Sequence, residues 1–181
     1  MRCSAVLLAG GKSTRMGRDK ATLEFEGEPL WQRQLATLRG LTPELLMISG
    51  PPRQGAETVT DEMENAGPLA GVSAALRKCP SSHLVVLAVD LPRMTTAFLL
   101  VLLALRHEGK GVVPRDPEFF EPLAAVYPAA CAELAASHLR RGDFSMQNFV
   151  HAAIEQELLT TRAILPNEQT LFVNLNTPAD L

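Results

Sequence analysis

Four basic side chains crowd a short glycine-bearing stretch near the start of the sequence. The apolar run Ala5 to Leu8 is followed by Ala9-Gly10-Gly11-Lys12-Ser13-Thr14-Arg15-Met16-Gly17-Arg18-Asp19-Lys20. Glycines at the C-terminal end of a strand let backbone N–H groups approach a phosphate with no Cβ in the way. Lys12, Arg15, Arg18 and Lys20 add positive charge around the same point. The chemistry this suits is polyphosphate binding. Two widespread versions of it fail on spacing. The P-loop G-x-x-x-x-G-K-[ST] would need its first glycine where this chain has Val6. The dinucleotide fingerprint separates its first two glycines by one residue, whereas Gly10 and Gly11 are adjacent. Standing alone, Gly10-Gly11 would also serve as a plain turn.

Three more segments carry residue types that bind charged or polar ligands. Gly67-Pro68-Leu69-Ala70-Gly71 is a tight entry into a helix and exposes backbone groups at its start, although an ordinary loop-to-helix junction reads the same way. Asp90 follows the apolar run Leu84 to Val89, and α/β folds place ligands at such strand ends. A carboxylate there suits Mg²⁺, which takes one or two carboxylates plus phosphate oxygens and water; it equally suits a turn or the start of the next helix. Asn174-Leu175-Asn176-Thr177-Pro178 offers two alternating amides for ligand phosphate or metal-bound water, with Thr177-Pro178 as a helix start.

Taken together, L-A-G-G-x-S-x-R-M-G-x-D-K, Gly67 to Gly71, Asp90-Leu91-Pro92 and Asn-x-Asn-Thr-Pro resemble, in order, the segments of nucleotidyltransferases with a mononucleotide-binding α/β fold. Within that superfamily the chain is most similar to the molybdenum cofactor guanylyltransferases (MobA type), from Leu8 to Leu181. The resemblance implies transfer of GMP from Mg²⁺-GTP to molybdopterin bearing molybdenum, with release of pyrophosphate. It implies nucleotide contacts at Leu8, Ala9, Gly10, Gly11, Lys20, Asp61, Gly67, Pro68, Leu69, Gly71 and Asp90. Arg15, Lys20 and Asp90 would be catalytic, Asp90 would hold the Mg²⁺, and Asn174 and Asn176 would face the acceptor. A guanine pocket needs an acceptor for N1–H and the exocyclic amine, and Asp61 is the matching acid. Molybdoenzyme maturation proteins are the further partners implied. Alternatives that keep the fold are a cytidylyltransferase or another nucleotidyltransferase; one that abandons catalysis is a nucleotide-binding cofactor-delivery protein.

The sequence departs from that family in two places. Ser49-Gly50-Pro51-Pro52 stands where family members can carry a nucleotide-contacting Asn, and Glu121-Pro122-Leu123 stands where Gln or His is more usual before Pro-Leu. Arg140-Arg141-Gly142-Asp143 could meet a pterin phosphate but reads first as a solvated turn. His83, His107, His138 and His151 lack metal-ligand spacing, and Ser4, Ser13 and Ser145 lack a nucleophile elbow. Trp31, Leu35 and Leu38 have the spacing of a helix's core face.

The elements that must position these residues alternate in type. Short apolar runs at Ala5 to Leu8, Leu45 to Ser49, Leu84 to Val89 and Val112-Val113 are separated by helical stretches at Leu30 to Leu41, Pro68 to Lys78 and Thr95 to His107. That order predicts an α/β fold: a three-layer, mainly parallel sheet with helices on both faces, Rossmann-like in the nucleotidyltransferase manner. Pro29 and Pro68 suit first helical positions. Beyond Pro114 the expected elements are a strand at Leu123 to Tyr127, helices at Ala129 to Leu139 and Phe144 to Glu157, and a short strand at Leu171 to Asn174. A length of 181 residues without a linker predicts one domain, residues 1–181, its N-terminal part binding nucleotide and its C-terminal part the acceptor.

Composition narrows the partners. With 46% hydrophobic and 20% charged residues the chain is globular rather than disordered. A net charge of −3 with no basic run beyond Arg140-Arg141 argues against nucleic acid. The longest apolar run, Phe98 to Leu105, is too short for a membrane span, and no signal peptide opens the chain. Three scattered cysteines predict a reducing, cytoplasmic setting.

Overall fold

The computed structural model describes residues 2–10, 20–60, 63 and 66–175. Its first strand, β1 (Ser4–Leu8), is buried along its whole length and is followed by a short hairpin of β2 (Glu24–Phe25) and β3 (Glu28–Pro29). Glu26 and Gly27 form that hairpin's turn with φ of 52° and 80°, a left-handed pair that Gly27 accommodates without strain. Then come α1 (Leu30–Arg39), β4 (Leu46–Ser49), β5 (Glu57–Val59), α2 (Pro68–Lys78), β6 (His83–Ala88) and α3 (Thr96–Leu105). The second half adds β7 (Gly111–Arg115), β8 (Ala124–Pro128), α4 (Cys131–Arg140), α5 (Met146–Glu155) and β9 (Leu159–Ala163).

Seven strands form one sheet in the order β5-β4-β1-β6-β8-β7-β9. All pairings are parallel except those of β8, which runs antiparallel to β6 and to β7. The expected three-layer, mainly parallel sheet is therefore observed. Alternation along β1 explains the two faces. Ala5 and Leu7 pack with Leu30, Leu35 and Leu38 of α1 and Phe98, Leu99 and Leu102 of α3. Val6 and Leu8 pack on the other face with Leu69 and Val72 of α2, Leu134 of α4 and Phe149 of α5. Because both faces are covered, the central strands read as continuous apolar runs rather than alternating ones.

Some expectations are corrected. Leu171 to Asn174 is no strand: residues Pro166–Phe172 form a 3-10 helix, started by Pro166 and held by the Glu168 side chain, which accepts from the Leu165 N–H at 2.9 Å and pairs with Arg162. The C-terminal strand is instead β9, an edge strand whose Leu-Thr-Thr-Arg-Ala run is buried at Leu159 and half-buried or exposed at the other four positions. Pro29 closes β3 one residue ahead of α1 rather than opening the helix. Among the described residues, no helix is long and apolar enough to cross a membrane.

Candidate functional site

The parallel strands β1, β4 and β6 end side by side, and the backbone knits their ends together. The Ala9 N–H donates to Ser49 O at 2.8 Å, and the Val89 N–H donates to Leu8 O at 3.1 Å. Loops leaving these strands open onto one edge of the sheet, where an α/β fold presents a ligand crevice.

Glycine is required where the loops meet. Gly50 has φ of 128°, and a Cβ on it would lie 2.7 Å from Gly10 N and 2.8 Å from Ala9 C. The loops after β1 and β4 touch backbone to backbone, which no residue with a side chain permits. This accounts for Gly50 in a segment, Ser49-Gly50-Pro51-Pro52, where family members can carry a nucleotide-contacting Asn. Gly71 meets the same constraint from below: a Cβ there would come within 2.5 Å of Ser49 Oγ and 3.1 Å of Leu8 Cδ2. The first turn of α2 thereby lies against the ends of β1 and β4.

Gly67 enters α2 with φ of 66° and Pro68 takes the first position, where its missing N–H is no loss. Among the described residues no side chain caps this helix; the Ala70 N–H turns back to Gly67 O at 3.3 Å, and an uncapped helix start of this kind suits a carbonyl or phosphate oxygen. Leu8, Ala9, Gly10, Gly67, Pro68, Leu69 and Gly71 are thus brought to one edge. Gly11, Arg15, Asp61 and Asn176 lie outside the described residues.

Asp90 sits two residues beyond β6 and faces Lys20. The Lys20 Nζ donates to Asp90 Oδ2 at 3.0 Å, with side chains 22% and 27% exposed, so both remain reachable from solvent. Three residues from two segments brace the turn that carries Asp90. Arg33 Nε of α1 donates to Pro92 O at 2.8 Å, and the wholly buried Gln34 donates through Nε2 to Leu91 O and to Ala88 O. From the far end of the chain, the Leu175 N–H donates to Asp90 O at 3.0 Å while its side chain joins the α1–α3 core. Asn174 therefore lies beside the acid, delivered by this docking and not by a strand. A hard oxygen donor, partly open, on a rigid turn fits Mg²⁺, given that such an ion completes its shell with substrate phosphate and water. Among the described residues no three His, Cys, Asp or Glu side chains cluster as a metal cage.

A further acid stands at this edge, at a position where the sequence departs from the family. Glu121 precedes β8, and its carboxyl is pushed up to about 7 by burial first, then by the negative charges of Asp116 and Asp90.

Other flagged residues serve the fold. His83 is buried between Ser82 Oγ and Lys110 O, and burial lowers its pKa. In the Arg140-Arg141-Gly142-Asp143 turn, the Asp143 carboxylate meets His138 at 3.1 Å and accepts from the Ser145 N–H, while Arg140 pairs with Glu133. Leu35 and Leu38 are fully buried, and the half-buried Trp31 carries Arg53 over its ring at 5.4 Å.

The geometry can be compared with known proteins. The model of the MobA-like NTP transferase domain matches residues 5–157. A protein of Opitutus terrae named "Probable molybdenum cofactor guanylyltransferase" is 42% identical, over 98% of this chain and 92% of its own length. The "Molybdenum cofactor guanylyltransferase" of Pseudomonas fluorescens is 32% identical, over 97% and 90%. Among solved structures, molybdopterin-guanine dinucleotide biosynthesis protein A from Archaeoglobus fulgidus superposes with a TM-score of 0.76 at 23% identity, covering 98% of this chain and 94% of its own. A nucleotidyl transferase from Methanothermobacter has a TM-score of 0.77 at 16% identity, over 98% and 93%.

Proposed function

This chain belongs to the MobA-like NTP transferase family, and on that premise we propose how its own residues carry out the reaction. It is a nucleotidyltransferase acting as a molybdenum cofactor guanylyltransferase: GMP passes from GTP to the terminal phosphate of molybdopterin bearing molybdenum. A phosphate oxygen of the acceptor forms a bond to the α-phosphorus, the bond from that phosphorus to the bridging oxygen breaks, and pyrophosphate leaves. The nucleophile is already ionised, so little proton transfer is needed. The barrier lies in bringing two anions together and in spreading the charge that develops.

The observation that carries this reading is the Lys20–Asp90 pair at the shared ends of β1 and β6, beside a glycine-bearing loop. Asp90 would hold Mg²⁺. The ion, when bound, supplies positive charge to the triphosphate and the departing pyrophosphate. Lys20, released from Asp90, turns its ammonium to the triphosphate, and Arg15 joins it. The backbone of Leu8, Ala9, Gly10 and Gly11 docks the nucleotide. Gly67, Pro68, Leu69 and Gly71 shape the base pocket, with Asp61 accepting from guanine. Asn174 and Asn176 face the acceptor from the C-terminal part, so nucleotide and acceptor share one domain over residues 1–181. GTP as donor and a set of free cysteines at residues 3, 79 and 131 favour a cytoplasmic setting. Handing the product to an apoenzyme makes molybdoenzyme maturation proteins its natural partners.

Competition of GTP against CTP and UTP, with molybdopterin as acceptor, tests the base assignment. GTP-dependent pyrophosphate release supports it, and release with CTP instead would keep the mechanism and overturn the guanine pocket.

A further inference from the structure

The loop between β7 and β8 is closed by its own backbone and braced from α5. Arg115 and Phe120 pair across it: the Asp116 N–H donates to Phe119 O at 3.0 Å and the Glu121 N–H to Pro114 O at 2.8 Å. Gln147 of α5 stands where a further strand would, its Oε1 accepting from the Phe120 N–H at 3.2 Å and its Nε2 donating to Phe120 O at 2.9 Å. At the tip, Asp116 Oδ1 accepts from the Glu118 and Phe119 N–H groups at 2.7 and 2.6 Å. Leu123 O accepts from the Ala88 N–H at 2.8 Å, so the loop joins the sheet at the end of β6 that leads into Asp90.

This frame decides which way the side chains leave. Phe120 turns its ring into the core shared by α2, α4 and α5, under Arg115 at 5.4 Å and edge-on to His151 at 4.9 Å. Neighbours in extended backbone point to the opposite face, so Phe119 and Glu121 share the α1–α3 side. Leu175 docks on that same side and brings Asn174 with it, whereas α2, whose first turn shapes the proposed base pocket, covers the other. Phe119 is 58% exposed, the most exposed large apolar side chain among the described residues. The half-buried Glu121 carboxyl has no hydrogen bond or ion pair among them. An aromatic ring held in water on a braced turn, two residues from an unpaired carboxyl, suits a flat heterocycle with N–H donors on its rim.

We infer that Phe119 and Glu121 bind the pterin ring of the acceptor: the phenyl ring stacks on the heterocycle, and the carboxylate accepts from its N3–H and 2-amino group. Guanine carries the same 2-amino-4-oxopyrimidine edge, and the sheet separates the two ligands, with pterin on the α3 side and guanine on the α2 side. This rests on the reading of molybdopterin as acceptor.

The test titrates the full chain with molybdopterin by calorimetry, with and without the α,β-methylene analogue of GTP, and then measures initial rates with acceptor and GTP varied in turn. Phe119→Ala should weaken molybdopterin binding and raise the acceptor KM about tenfold, the loss expected when a stacked heterocycle is deprived of its aromatic partner. It should leave the KM for GTP and the melting temperature unchanged. Phe119→Trp should restore binding. Glu121→Gln, which keeps only one acceptor oxygen, should raise the acceptor KM by a similar factor, again at unchanged KM for GTP. If both Phe119→Ala and Glu121→Gln bind molybdopterin as the wild type does, this inference is overturned and molybdopterin as acceptor stands. A rise in the KM for GTP alone would put guanine on Phe119 and overturn it as well. If the wild type does not bind molybdopterin, both readings fall.

Discussion

Lys20 Nζ and Asp90 Oδ2 lie 3.0 Å apart although seventy residues separate them in the chain, tying the segment that follows the glycine loop to the end of the central strand β6. The pair is part-exposed, so its contribution to stability is small, on the order of 1 kcal/mol or less. Its value is electrostatic and local: it keeps a cation and an anion ready at the place where a metal-bound triphosphate must be received. Lys20→Ala and Asp90→Asn should each lower turnover by about 10²–10³ while leaving the thermal midpoint almost unchanged. Paired activity assays and melting curves check both halves of that statement.

The brace behind Asp90 makes a second prediction. Gln34 is fully buried, donates to Leu91 O and Ala88 O, and leaves its own Oε1 without a partner among the described residues. Gln34→Leu removes that orphan acceptor together with the donor to Ala88 O and Leu91 O, of which Leu91 O keeps the Met94 N–H at 3.0 Å, costing about 1–3 kcal/mol. Because those carbonyls flank Asp90, kcat should fall more than the loss of stability explains. Measuring kcat at a temperature well below the melting transition separates the two effects.

Close packing between loops gives the third. Gly71→Ala would press a methyl group to within 2.5 Å of Ser49 Oγ, and Gly50→Ala would drive one into the backbone at Ala9 and Gly10. Gly71→Ala should raise the KM for GTP with little change in kcat, as the first turn of α2 shifts away from the ends of β1 and β4. Gly50→Ala, strained both in φ and in space, should be the more damaging for stability. Initial-rate kinetics on the first variant and denaturant melts on both distinguish these outcomes.

Glu121 dictates a pH dependence. Its carboxyl is pushed up to about 7 in the folded chain from an ordinary value near 4.5. Between those two values the folded state holds a proton that the unfolded chain has released. Stability therefore falls as pH rises through that window and levels off above about 7. Glu121→Gln should flatten the decline and raise the melting temperature at pH 8 by roughly 2–4 °C. Melting temperatures of both proteins from pH 5 to 8, in the absence of divalent cations, provide the check.

Much of this was written in the residues. The apolar runs of β1, β4 and β6 are buried on both faces and so read as strands without ambiguity, and the Gly10 loop, Gly67 to Gly71 and Asp90 each lie at their ends as the α/β pattern requires. The rest was hidden for definable reasons. Strands β2, β3 and β5 are two or three residues long, too short for a period to show, and β9 is an open edge with Thr and Arg where an apolar run was sought. Leu171 to Val173 looked like a strand because it is apolar, yet it packs through a 3-10 helix, with Phe172 edge-on to Phe98 at 5.3 Å. The negative charge of Asp90 that Glu121 feels could not be foreseen from sequence because it depends on β8 inserting antiparallel beside β6, a long-range pairing that no local pattern encodes.

The central claim is that Asp90 and Lys20 serve GTP-dependent guanylyl transfer. The measurement that tests it most directly is pyrophosphate release from GTP and Mg²⁺ with molybdopterin bearing molybdenum as acceptor, run beside CTP and beside the Asp90→Ala variant. Release with GTP alone, abolished by Asp90→Ala in a chain that still folds, is the expected result. Undiminished release from the variant would contradict it.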